Sequence, residues 1–156
     1  MDTTASMKIQ EHGDSLGEGN LLIFTVPSTH IDKAWKEGAN KLAFGLTRYS
    51  PESTADQLKY RLARGELILL ALAREGESPI GWAAVSFIQY PMFRSLFIYS
   101  IYAPRQAIAS SFDLLKEWGL QMGATAIEGQ ADEAVARLWE KRFGFKEVSR
   151  TVRLFM

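Results

Sequence analysis

The sequence contains no cysteine and only two histidines, His12 and His30. The absence of cysteine excludes disulfides, thiolate metal sites and cysteine nucleophiles. Two imidazoles are too few for most histidine-based metal or catalytic arrangements. We therefore expect no metal site in this chain.

The chain also lacks an excess of either charge and any long apolar run. Lys plus Arg and Asp plus Glu number 18 each, so no basic field would attract nucleic acid. No apolar run reaches the roughly 18 residues of a membrane span, and the first residues are too polar for a signal peptide. These features predict a cytoplasmic protein with neither nucleic acid nor a membrane as partner.

The length and composition fit one globular domain. The 156 residues are 47% apolar and 23% charged, which is ordinary for a folded protein. Residues 1–19 are rich in Gly, Ser, Thr and Asp without periodicity, and this predicts a flexible arm ahead of a single domain over residues 20–156.

One motif in the arm points to another class of enzyme. Gly13-Asp14-Ser15-Leu16 matches the signature of a family of serine esterases. No apolar strand precedes it and no histidine follows His30, so the serine would lack its base. We therefore disfavour an esterase.

The stretch over residues 95–119 organises the rest of the chain. Residues 96–102 read as a buried strand, and a short loop leads into a helix that opens on small residues. The first N–H groups of such a helix lack intrahelical partners, and with the positive end of the helix dipole they form an anion site. The alternative is that this strand-to-helix connection packs against the rest of the domain and binds no anion.

Apolar runs and turn residues predict the other strands. Three consecutive strands with short connections indicate an antiparallel meander, and a strand that follows a helical crossover should lie parallel to the one before it. The last stretch alternates apolar and charged residues, which predicts an edge strand. The predicted strands are residues 21–26, 66–73, 80–90, 95–102, 125–129 and 146–156.

Four helices are predicted from apolar spacing and from residues typical of helix ends. The first begins at Ser28 or Thr29 and ends near Gly45, and Ser50 or Ser53 caps the second. A third covers about 106–122, and Asp132 caps a fourth that ends at Gly144. The predicted fold is α/β (α+β), with a mixed, mostly antiparallel sheet flanked by helices.

This order of elements resembles the GCN5-related N-acetyltransferases over residues 21–156. The family marks its coenzyme A site with a Q/R-x-x-G-x-G/A loop at the start of the helix after the fourth strand. Aligning on the pair Leu114-Leu115 places Gln106 at the first position, and Ala109 and Ser111 at the glycine positions. Both are small, but neither is glycine, so their Cβ atoms would narrow a pyrophosphate site.

A second motif lies between residues 134 and 145, AVARLWEKRFGF. It resembles the family's A-x-x-L-Y-E-K-x-G-F helix and turn, where in many members the tyrosine protonates the departing thiolate. Trp139 stands at or beside that tyrosine's place, and an indole N–H is no practical proton donor.

The resemblance implies transfer of an acyl group from acetyl-CoA to an amine. It implies an oxyanion held by a backbone N–H near Ile101 to Ala103, and Tyr102 and Glu128 are the catalytic candidates. The fourth predicted strand, residues 95–102, carries no carboxylate. The residues implied to bind coenzyme A are Ile101, Ala103, Gln106, Ala107, Ile108, Ala109, Ser110, Ser111 and Trp139.

A second reading stays open. The missing glycines, tyrosine and strand carboxylate also fit a catalytically inactive protein of this fold that serves in binding or assembly. The sequence is similar in style to small phage-encoded proteins of the fold, some of them associated with the virion. The acceptor cannot be read from the sequence, and a homodimer or another protein partner remains an open alternative.

Overall fold

The computed structural model describes residues 6–8, 20–44 and 54–156, and it contains a sheet of six strands in chain order. The first five strands pair antiparallel, and the last pair is parallel. The predicted meander and the predicted parallel strand are therefore confirmed. The strands are β1 (Ser6–Lys8), β2 (Leu21–Val26), β3 (Ile68–Arg74), β4 (Gly81–Gln89), β5 (Arg94–Tyr102) and β6 (Ala126–Gly129).

Within the described ranges, four α-helices form two layers, one on each face of the sheet. Side chains of α1 (Ile31–Glu37) and α2 (Ala55–Ala63) pack into one apolar cluster, which defines the α1 face. Side chains of α3 (Ile108–Gln121) and α4 (Glu133–Phe143) pack into the other, which defines the α3 face. None of the helices in the described ranges is long and apolar enough to cross a membrane.

Glycines and caps explain where the helices begin and end. The predicted first helix is broken at Gly38, whose φ of 134° suits glycine alone, and a 3₁₀ turn follows at Ala39–Leu42. The cap of α2 is Thr54, which forms a reciprocal capping box with Gln57. Ser50 and Ser53, the predicted caps, lie outside the described residues. Asp132 caps α4 as predicted, with its carboxylate 2.8 Å from the Val135 nitrogen.

The predicted final strand is wrong. Residues 146–156 form no strand, and every one of them is exposed. The alternation was read correctly, but a strand also needs a neighbour to pair with, and none of the described strands lies beside this segment. Within the predicted N-terminal arm, Ser6–Lys8 pairs with β2, and the Gly13-Asp14-Ser15-Leu16 motif lies outside the described residues.

A β-bulge interrupts the pairing of β4 with β5. Ala84 lies opposite Ser100 and Val85 opposite Ile98, so Tyr99 is the extra residue on β5. Side chains normally alternate between the faces of a strand, but Tyr99 and Ser100 both lie on the α1 face. Ile98 and Ile101 pack on the α3 face. The bulge therefore shifts the alternation by one residue before the strand ends.

A buried hydrogen bond holds the bulge against the α1 layer. The Ser100 hydroxyl donates to the Leu42 carbonyl oxygen at 2.7 Å, and both residues are buried. Substitution Ser100→Ala removes the donor and leaves that carbonyl in an apolar cluster. We expect a loss of about 1–3 kcal/mol in the free energy of unfolding, measured by urea denaturation.

The control for this variant is Ser78→Ala, which changes an exposed serine in the turn between β3 and β4. It should alter the free energy of unfolding by less than about 0.5 kcal/mol. Equal stabilities for the two variants would contradict the assigned role of Ser100.

Candidate active site

A gap opens between β5 and β6 where β6 ends. The parallel pairing runs from Ser95 opposite Ala126 to Ile98 opposite Gly129 and then stops. β5 continues to Tyr102, paired only with β4, and the bulge at Tyr99 lies directly beyond the last pair. Among the described residues, no strand pairs with the other edge of residues 99–102. β5 therefore runs beyond its pairing with β6 by the four residues 99–102.

The start of α3 lies directly after this edge. Ala103 and Pro104 connect β5 to a 3₁₀ turn at Arg105–Ala107, which leads into α3 without a side-chain cap on either element. The Ala107 N–H donates to the Pro104 carbonyl oxygen at 2.8 Å. The other N–H groups at the start of α3 lack the acceptors that the helix interior supplies, and the anion site read from the sequence stays a prediction.

The non-glycine residues of this loop fit their backbone. No non-glycine residue in the described ranges has a positive φ, so Ala109 and Ser111 need no glycine conformation here. Ala109 is exposed. Ser111 is buried, and its hydroxyl donates to the Ala107 carbonyl oxygen at 2.7 Å. The Ser111 hydroxyl is therefore engaged within the helix, and Gln106 is exposed beside it in the loop.

The remaining predicted contacts divide between core and surface. Ala107 is fully buried, while Ile108 and Ile101 are half-buried and pack against the α3-face cluster. Ala103 and Ser110 are half-buried. Side chains that pack against the core, those of Ala107, Ile101 and Ile108, hold the loop in place.

Trp139 lies at the closed end of the gap. A Cβ added to Gly129 would come 3.2 Å from the Trp139 ring and 3.1 Å from the Ile98 carbonyl oxygen. The indole also packs edge-on against Phe112, with ring centroids 5.2 Å apart, and against Phe145 at 5.1 Å. Trp139 is therefore a packing residue at the point where β5 and β6 separate.

A cavity of about 640 Å³ opens on the opposite face of the sheet, beside the bulge. The Arg61 guanidinium lies 4.8 Å from the centre of the Tyr99 ring, and that of Arg64 lies 5.3 Å from the Tyr60 ring. Glu66 pairs with both arginines, at 3.2 Å and 3.3 Å. Sequence reasoning missed this site because α2 and β5 meet only in the folded chain. Its lining residues are Asp56, Gln57, Tyr60, Arg61, Arg64, Glu66 and Tyr99.

Several solved structures that superpose on this chain are acetyltransferases. A probable acetyltransferase superposes with a TM-score of 0.58 and 20% identity, covering 86% of this chain and 95% of its own. The aminoglycoside N-acetyltransferase AAC(6')-Iy, solved with CoA, superposes with a TM-score of 0.57 and 16% identity, covering 90% of this chain and 97% of its own. A predicted acetyltransferase from Clostridium acetobutylicum, solved with acetyl-CoA, superposes with a TM-score of 0.57 and 18% identity, covering 86% of this chain and 96% of its own.

The chain has the acetyltransferase fold. The likeness is carried by the fold, since the identities do not exceed 20% in these three comparisons. No protein-family model matches the chain, and no curated protein matches it significantly. The resemblance read from the order of elements is confirmed at the level of architecture.

Within this acetyltransferase fold, the two catalytic candidates lie apart. Glu128 is opposite Phe97, and Tyr102 is five positions further along β5, which is about 15 Å at the usual rise of a strand. Tyr102 is half-buried on the α1 face, with the Lys41 ammonium 5.1 Å from its ring centre. The structure therefore does not bring Tyr102 and Glu128 to one reacting atom.

Tyr90 is the partner of Glu128, and the sequence analysis missed it. Its hydroxyl donates to the Glu128 carboxylate at 3.0 Å, across 38 residues of sequence. That hydrogen bond, with burial and the nearby negative charge, raises the pKa of Tyr90. No sequence signal identified the pair, since Tyr90 directly follows β4, Glu128 lies in β6, and the two meet only in the folded chain. Among the described residues, no cluster of three or more His, Asp or Glu side chains could hold a metal.

The Tyr90–Glu128 hydrogen bond can be tested by absorbance titration of the tyrosines at 295 nm. Subtracting the curve of Tyr90→Phe from that of the parent should isolate one tyrosine with a midpoint above the usual value of about 10. Because the pKa is raised in the folded state, the associated stability is present below that usual value and is lost as the pH rises through the folded pKa.

Substitution Glu128→Gln removes the charge while keeping the shape of the acceptor, so in that background the Tyr90 midpoint should fall towards 10. A midpoint that does not change with Glu128 would contradict the pairing.

Proposed function

We propose that this protein is an acetyl-CoA-dependent N-acetyltransferase that transfers an acetyl group to an amine. The observation that carries the proposal is the gap beyond Ile98 and Gly129, which faces the uncapped start of α3. Two structures with this fold were solved with CoA or acetyl-CoA. By analogy, the gap admits the pantetheine arm, and the start of α3 receives the pyrophosphate.

The loop before α3 would hold the coenzyme through its backbone. N–H groups at the start of α3, apart from that of Ala107, and the positive end of the helix dipole favour a pyrophosphate, and Gln106 offers an exposed amide beside them. The edge of β5 over residues 100–102, with which no described strand pairs, would bind the pantetheine amides and hold the developing oxyanion near Ile101 and Ala103. Acetyl-CoA supplies the acetyl thioester that the amine attacks.

The amine would approach from the cavity on the α1 face. Tyr99 lines that cavity, and it also sits at the bulge where the gap begins, so the cavity and the gap meet at one residue. Coenzyme and acceptor would then enter from opposite faces of the sheet. The amine nitrogen bonds to the carbonyl carbon, the carbon–sulfur bond breaks, and the amine gives up a proton.

Glu128 is the candidate that would take this proton. Glu128 lies on the α1 face, because its neighbour Ile127 packs into the α3-face cluster. Only Gly129, the last paired residue of β6, stands between Glu128 and the gap. Tyr90 donates to one carboxylate oxygen, so the other oxygen is the acceptor available to an amine. Tyr102 lies too far along β5 to share this step.

The alternative function is a binding protein of this fold without chemistry. Trp139, which stands at or beside the family's tyrosine, favours it, because the indole is packed among Phe112 and Phe145 and supplies no acid for the leaving thiolate. Such a protein would bind an acyl-CoA and release no thiol. The cytoplasmic or virion-associated setting stays a prediction under either function.

Coenzyme binding can be tested at Ala109, which is exposed at the start of α3. Acetyl-CoA at about 100 times its dissociation constant should stabilise the fold by roughly 2.7 kcal/mol in a thermal-shift titration. Substitution Ala109→Glu places a carboxylate where the pyrophosphate would lie, and the dissociation constant should rise at least about tenfold.

The matched control is Ala109→Gln, which has the same size without the charge and should bind nearly as well as the parent. An acidic residue suits a helix N-terminus, so Ala109→Glu should keep its melting temperature without ligand. No stabilisation by millimolar acetyl-CoA in the parent protein would refute the proposed function.

Turnover can be measured by thiol release, because the chain has no cysteine to react with the thiol reagent. With an amine panel and acetyl-CoA, Glu128→Gln should lower kcat about 100-fold or more, as expected for loss of a general base. Tyr102→Phe should change it far less. If the parent binds acetyl-CoA and releases no thiol with any amine in the panel, the binding protein is the better description.

A further inference from the structure

The cavity on the α1 face carries positive and negative charges that are separated along α2. Arg61 lies in the last turn of this helix, and Arg64 directly follows it. Asp56 lies in the first turn, eight residues before Arg64, which is about 12 Å along a helix axis. Such a cavity suits a ligand that has opposite charges at its two ends better than a ligand with several charges of one sign.

Glu66 pairs with both arginines and leaves one positive charge in excess at that end of the cavity. One of its carboxylate oxygens lies 3.2 Å from the Arg61 Nε, and the other lies 3.3 Å from an Arg64 terminal nitrogen. A single carboxylate therefore faces two guanidinium groups. An anionic group on a ligand would balance the second positive charge.

The Arg61 guanidinium is held in place through Nε, and this leaves its terminal nitrogens for a ligand. The Nε donates to Glu66, and the guanidinium lies 4.8 Å from the centre of the Tyr99 ring. Among the residues that the structure describes, none accepts a hydrogen bond from the two terminal nitrogens. The Arg61 side chain is 37% exposed, so these nitrogens can be reached from solvent. Their paired N–H groups match the two oxygens of a carboxylate.

Two aromatic rings lie between this guanidinium and the proposed base. The Phe97 ring centre is 6.5 Å from that of Tyr99, and Glu128 is opposite Phe97 in the parallel pairing. Phe97 lies on the α1 face, because its neighbours Leu96 and Ile98 pack into the α3-face cluster. An acceptor lying along the two rings would place its amine at the carboxylate and its other end at the guanidinium, with an apolar stretch between them.

We propose that the acceptor is an amine joined by an apolar spacer to a carboxylate, the class of the ω-amino acids, and that Arg61 binds the carboxylate. This inference rests on the proposed function, since it places the reacting amine at Glu128. In water such an acceptor carries one ammonium and one carboxylate, as the separated charges of the cavity require. Arg61 is a specificity residue, because it contacts the far end of the acceptor and none of the reacting atoms.

The first experiment measures thiol release with straight-chain amino acids, from β-alanine to ε-aminocaproate, each paired with its own primary amide. The amide keeps the amine but has no negative charge. From the parent to Arg61→Gln, the acid-to-amide ratio of kcat/KM should fall at least about tenfold, mainly through the KM of the acid. Dividing the two ratios cancels the difference in amine basicity between acid and amide. The kcat/KM of the amide itself should change by less than about threefold.

Two further variants separate the guanidinium from its charge. Arg61→Lys keeps the positive charge without the paired N–H groups, so its ratio should lie between those of the parent and Arg61→Gln. Lys116→Gln removes an exposed positive charge from α3, on the opposite face of the sheet, and should change the ratio by less than about twofold. If Arg61→Gln leaves the ratio unchanged, or lowers acid and amide equally, the inference is wrong and the proposed function still stands.

A binding experiment separates this inference from the proposed acetyl transfer. Without acetyl-CoA, millimolar ε-aminocaproate should shift the NMR signal of the Arg61 Nε–H, and its primary amide should shift that signal far less. This shift without thiol release from any amine would refute the acetyl transfer and support a carboxylate site at Arg61. An unshifted Arg61 signal would overturn the inference, whatever the thiol assay shows.

Discussion

The limited pairing between β5 and β6 is the constraint on which the site depends. Four residue pairs, ending at Ile98 and Gly129, join the two strands, and β5 then continues alone towards α3. A longer β6 would extend the pairing along residues 100–102 and close the gap between the two strands.

Two features keep the gap open. Gly129 ends β6, and the Trp139 ring packs where a side chain at position 129 would lie. The strand therefore ends against this indole ring. The bulge at Tyr99 then turns the α1-face side chains of β5 towards α2 and the cavity. Both features are made of packing contacts, and neither depends on the glycines that the family usually carries in its coenzyme loop.

Local patterns were enough to predict much of the fold. Apolar runs, Asp132 and the turn residues located β2 to β6 and the later helices, because these signals lie within a few residues of the structure they specify. The failures need distant partners. The break at Gly38 has the Trp82 ring beside it, about forty residues away in sequence, and residues 146–156 read as a strand whose pairing partner the sequence cannot name.

The residues of the candidate site fall into the same two groups, those marked by local sequence and those brought together only by the fold. Gln106, Ala109 and Ser111 were located by motif, since the loop is contiguous in sequence. The Tyr90–Glu128 hydrogen bond and the cavity between Arg61 and Tyr99 join residues 38 positions apart in both cases, and no local pattern marks them. A sequence can therefore indicate a contiguous loop such as residues 106–111 more readily than it can indicate side chains that meet only in the folded chain.

The bulge also has a consequence at the level of the gene. Because Tyr99 is an extra residue in β5, deletion of its codon would leave Ile98 and Ser100 as neighbours opposite Val85 and Ala84, with regular alternation. Ser100 would keep its face, and the cavity would lose the ring against which the Arg61 guanidinium lies. One codon therefore supplies the Tyr99 ring to the cavity while the residue pairs on either side of it stay in place.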